Sequence, residues 1–82
     1  MKRITIYNLN RVRISSGIWL NERQIDIYDL HNNYISYGIT HDGRMLNLYN
    51  RNSESIGYGI INQSNNQILI YDQNRNHIST GF

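Results

Sequence analysis

Cysteine and proline are both absent from the 82 residues. Without cysteine there is no disulfide staple and no thiolate metal site, so nothing points to an oxidising compartment and localisation stays open. Charge is also sparse: one Lys and seven Arg against six carboxylates leave a formal net charge of +2. That mild bias argues against tight binding to a phosphate backbone. Long apolar runs are missing. The opening MKRITIYN has two basic residues with no apolar stretch of signal-peptide length behind it, and no segment approaches the roughly 20 apolar residues of a membrane helix. The chain therefore reads as a soluble protein without a membrane partner. There is no nucleophile elbow, no phosphate-cradling glycine loop and no pair of carboxylates whose spacing suggests acid–base work, so no enzyme activity and no cofactor are expected. His31, His41 and His77 lack the close spacing of a metal site and read as exposed turn residues.

What the chain does have is one sentence written four times. Residues 4–18, 25–39, 46–60 and 68–82 align on Tyr7-Asn8, Tyr28-Asp29, Tyr49-Asn50 and Tyr71-Asp72, and again on Gly17, Gly38, Gly59 and Gly81, at steps of 21, 21 and 22. A fixed period of this size marks a repeated supersecondary unit that cannot bury its apolar face alone. Within each copy two alternating runs flank a polar spell, which is the period of strands. The prediction is a single all-β domain spanning 1–82, made of four tandem β-hairpins in an eight-stranded antiparallel meander. An up-and-down barrel, a stack of hairpins or a sheet dimerised through its apolar face would each bury that face, and the barrel and the dimerised sheet are the two favoured.

The turns between copies predict the register. Asp42-Gly43 is a two-residue type I′ signal that would set Ile39 opposite Leu46 and Tyr37 opposite Leu48. Asn21-Glu22 would set Ile18 opposite Ile25, and a three-residue loop at Gln63-Ser64-Asn65 would set Ile60 opposite Ile68. On that register the core face carries Ile4, Ile6, Ile25, Ile27, Leu46, Leu48, Ile68 and Ile70 from first strands. From second strands it carries Ile14, Ile18, Ile35, Tyr37, Ile39, Ile56, Tyr58, Ile60, Ile78 and Phe82. The other face carries Tyr7, Tyr28, Tyr49 and Tyr71, each set against Ser15, Ser36, Gly57 or Ser79.

The pairs Tyr28-Asp29 and Tyr71-Asp72, each followed by a polar turn and an isoleucine, resemble the YD repeats of large bacterial shell and toxin proteins. Those form long arrays, whereas four copies could not enclose a cargo. The runs GITHDGRMLNLYN and YISYGI are similar to the cell-wall, choline-type binding repeats, whose tryptophans form cages for a quaternary ammonium group. The matching positions here hold Ile39, Ile60 and Leu46, so the resemblance implies hairpin repeats and not that ligand.

Three surfaces are candidates for function. Tyr7, Tyr28, Tyr49 and Tyr71, with Trp19 and Tyr34 nearby, could stack on sugars or bases or meet a protein, or could simply stabilise the sheet as cross-strand pairs. Asn8, Asp29, Asn50 and Asp72 would ring one barrel mouth, where they either coordinate a cation or bond the amides of the following turns. Arg11, Arg13, Arg51 and Arg75 belong to the hairpin tips and make one rim basic, with Arg23 and Arg44 at the opposite end. The leading expectation is a non-catalytic binding module for a protein or glycan. A self-assembling homo-oligomer joined through its terminal edge strands is the alternative, as is an inhibitor of a nucleic-acid-processing machine acting through its arginine tips.

Overall fold

The computed structural model describes residues 2–82. Eight strands follow one another: β1 (Lys2–Asn8), β2 (Arg13–Trp19), β3 (Gln24–Asp29), β4 (Tyr34–Thr40), β5 (Met45–Asn50), β6 (Ser55–Ile61), β7 (Ile68–Asp72) and β8 (His77–Gly81). Each pairs antiparallel with its sequence neighbours, and β1 pairs with β8, so the meander closes into a barrel. At the closing seam Ile6, Tyr7 and Asn8 stand opposite Gly81, Thr80 and Ser79, and Thr5 and Phe82 exchange both backbone hydrogen bonds at 3.0 Å. The two strands expected to offer free edges thus satisfy each other, which removes both the dimerised sheet and the stacked solenoid as ways of burying the apolar face.

The predicted register is corrected by one residue at every junction between hairpins. Thr40, not Ile39, stands opposite Leu46; Trp19 stands opposite Ile25; Ile61 stands opposite Ile68. The turns between hairpins accommodate the shift. Asn21 Oδ1 accepts from the amides of Arg23 and Gln24 at 2.8 and 3.0 Å, and Asp42 Oδ1 accepts from Arg44 and Met45 at 2.9 and 3.0 Å. Such side-chain-capped loops hold one residue more than a type I′ turn. Because strand side chains alternate with a period of two, that single residue turns every second strand over.

The consequence is a core built from one strand of each hairpin. Ile4, Ile6, Ile25, Ile27, Leu46, Leu48, Ile68 and Ile70 are buried, and all lie on first strands. Against them the second strands present Ser15, Gly17, Ser36, Gly38, Gly57, Gly59, Ser79 and Gly81, all buried. There is no space for more: a methyl on Gly38 would lie 2.9 Å from Leu46 Cγ, and one on Gly17 would lie 2.7 Å from Ile25 Cδ1. An eight-stranded barrel has an interior just wide enough for side chains, and alternating large with small fills it without overpacking. Ile14, Ile18, Ile35, Tyr37, Ile39, Ile56, Tyr58, Ile60, Ile78 and Phe82, expected inside, are therefore outside the core, each partly or largely exposed.

A β-bulge recurs in each hairpin. Ile6 faces Ser15 but Tyr7 faces Arg13, leaving Ile14 unpaired; Ile35, Ile56 and Ile78 are skipped in the same way. These four isoleucines are 39–45% exposed. Extra residues of this kind bend and twist a strand, which a small closed barrel requires four times over.

Candidate functional site

The hairpin tips are built on the repeated Asx residue. Asn8 Oδ1 accepts from the amides of Asn10 and Val12 at 2.9 and 3.0 Å; Asp29 does so from His31 and Asn33, Asn50 from Asn52 and Glu54, and Asp72 from Asn74 and Asn76. Each tip turns through a residue at positive φ: Arg11 at 63°, Asn32 at 65°, Ser53 at 64° and Arg75 at 67°. The Asx ring is thus committed to its own loops. The Asp29 and Asp72 carboxyls are held below the ordinary carboxylate range, first by the Asn33 and Asn76 amides respectively. Among the described residues no group of three His, Cys, Asp or Glu side chains converges as a metal site.

The outward face of the barrel holds all the tyrosines. Turning the second strands over brings Tyr37 and Tyr58 beside Tyr49 and Tyr71, and each of these pairs stacks across two hairpins: Tyr37–Tyr49 at 5.2 Å and 25°, Tyr58–Tyr71 at 5.1 Å and 8°. Tyr28 meets Tyr34 edge-on at 5.9 Å, and Tyr7 meets Phe82 in the same manner. All seven tyrosines are half-buried, so each ring has one side on the sheet or a neighbour and one in water. The Tyr37 hydroxyl bonds Ser53 Oγ at 2.7 Å, which ties the face to a tip. Burial raises the Tyr34 phenol above its usual range, with Asp26 adding to the shift. His77, expected in an exposed turn, is a half-buried residue of β8. Its Nε2 donates to the Ser79 carbonyl at 3.0 Å, and its ring lies 5.4 Å from that of Tyr71.

The four tyrosines singled out by the repeat therefore share this face, at one position per first strand, but they do not stand against Ser15, Ser36, Gly57 and Ser79, which are interior. Tyr37 and Tyr58, expected on the core face, join the outward face because the second strands are turned over. The legible signal was the run of Ser and Gly at alternate positions of every second strand: residues that small are the natural complement to a filled aliphatic face. Trp19 is separate from the tyrosines. It stands opposite Lys2 and Ile25 and packs on the core at the mouth remote from the tips. Arg11, Arg51 and Arg75 are exposed in three tip loops, while Arg13 is the first residue of β2, opposite Tyr7. No family model, curated protein or solved structure matches the chain.

Proposed function

We propose that the protein is a non-catalytic binding module whose working surface is the outward tyrosine–isoleucine face over β3 to β8, and that its partner is a protein. The observation that carries this reading is the second-strand inversion. It leaves the interior to eight aliphatic side chains of first strands and sends Ile18, Ile39, Ile60, Tyr37 and Tyr58 outward, beside the tyrosines of first strands. Half-exposed tyrosines beside aliphatic side chains have the composition of a protein interface, where one end of the ring is dry and the hydroxyl is wet. A protein is favoured over a glycan because Tyr37, Tyr49, Tyr58 and Tyr71 spend one ring face on each other, whereas sugar binding depends on an open, flat ring face.

Photo-crosslinking tests this directly. A photoreactive phenylalanine placed at Tyr58 in one variant and at Asn10 in another reports which surface a partner covers. The expected result is one protein adduct from position 58 and none from position 10, lost in Tyr49→Ala with an unchanged far-UV spectrum. An adduct from position 10 alone would favour the arginine-bearing tips and the inhibitor reading. A crosslinked dimer of the chain itself would favour self-assembly.

A further inference from the structure

At the mouth remote from the tips the barrel is not level. The third inward position of successive second strands holds Trp19 on β2, Thr40 on β4 and Ile61 on β6, in line with Gly17, Gly38 and Gly59. An indole, a threonine and a branched aliphatic chain differ in height, and above them lies an open concavity of about 570 Å³. Its floor is apolar, from Trp19, Ile61 and the buried Ile68. The Thr40 hydroxyl is engaged with its own turn: Oγ1 accepts from the Gly43 amide at 2.9 Å, and its O–H points to Asp42 Oδ1 at 3.5 Å. The charged lining residues are Lys2 and Glu22. Both are exposed; Lys2 shares the strand alternation of Ile4 and Ile6 and stands directly opposite Trp19 in the β1–β2 register, whereas Glu22 belongs to the β2–β3 turn.

We infer that this mouth is a binding site for a small planar aromatic molecule carrying one acidic group, its ring lying on the Trp19 indole and its anion reaching the Lys2 ammonium. Pockets of a few hundred Å³ with an apolar wall and one or two polar handles are the usual form of small-molecule sites, and barrel mouths are a common place for them. An aromatic surface supplies ring contact, and the cation of Lys2, directly across from the indole in the strand register, sets the sign of the ligand.

Trp19 is the one tryptophan in the sequence, so its emission reads the site with no label. Titration with 1-naphthoate should quench it saturably at one equivalent. Lys2→Glu should weaken naphthoate at least tenfold and strengthen 1-naphthylmethylammonium, and Ile61→Phe, which fills the mouth without adding a second indole, should remove naphthoate protection of Trp19 from acrylamide. Tyr58→Ala should leave the titration unchanged, which separates this mouth from the tyrosine face. Lys2 is exposed, so its variant reports even where the Ile61 variant fails to fold. Quenching that stays linear with concentration, or naphthoate binding indifferent to Lys2→Glu, overturns the inference.

Discussion

At the scale of single residues, three carboxylates join the fold to pH. Asp29, Asp42 and Asp72 all lie below the ordinary range, chiefly through the amides of Asn33, Arg44 and Asn76 respectively, with burial opposing. A lowered folded value means that the ionised form is favoured by folding. The contribution is present above the unfolded value of about 4 and is lost as pH falls through the folded values below it. The urea midpoint should therefore drop between about pH 4 and pH 2. Asp29→Asn, Asp42→Asn and Asp72→Asn combined should flatten that limb, since Asn8 and Asn50 already perform the same bonding in the other copies; an unchanged limb would show that other groups carry it. Gly57 is a second test. It has φ 156°, and a methyl there would collide with the Tyr71 carbonyl oxygen, so Gly57→Ala should lose about 3 kcal/mol in a urea titration. A neutral outcome would mean that β6 and β7 approach less closely.

At the scale of elements, the two strands of a hairpin are chemically unlike, and mutation should expose the difference. Ile25→Ala or Leu46→Ala empties a site that is 1% exposed and should cost about 2–5 kcal/mol. Ile39→Thr and Ile60→Thr, on second strands, should each cost under about 1 kcal/mol. Equal costs for the two sets would restore the register in which both strands feed the core. The tips admit a gain: Arg75 holds φ 67°, a region that costs an L-residue about 1 kcal/mol or more, so Arg75→Gly should raise the thermal midpoint slightly.

At the scale of the whole molecule, closure joins the four hairpins in a ring whose β1–β8 seam registers three residue pairs against five at each other junction. Every sheet edge is paired, including the β1–β8 seam, so light scattering coupled to size exclusion should give a monomer mass near 9.7 kDa at low micromolar concentration unless the tyrosine face itself pairs. A circular permutant opened between Asn21 and Glu22, with a short Gly-Ser linker joining Phe82 to Met1, should fold with an unchanged far-UV spectrum, because the seam and the other hairpin junctions are the same kind of contact. A permutant that fails to fold would show that the seam is weaker than its pairing indicates.

Much of this protein was legible before any coordinates. The repeat length and the strand period determined four hairpins, a meander and the burial of Ile4, Ile6 and their counterparts, and the Asx at each tip offered the turn role of Asn8, Asp29, Asn50 and Asp72 beside a cation-binding one. These are local properties, set by alternation within a strand and by hydrogen bonds across two to four residues. The tertiary structure alone decided which face of each second strand turns inward. Isoleucine and glycine both alternate there, and local preference favours the isoleucines as core; only the volume of a closed eight-stranded barrel selects the glycines. That choice moved Tyr37 and Tyr58 onto the outer face and set Trp19 in the mouth, so the candidate surfaces follow from a packing limit that no single hairpin experiences.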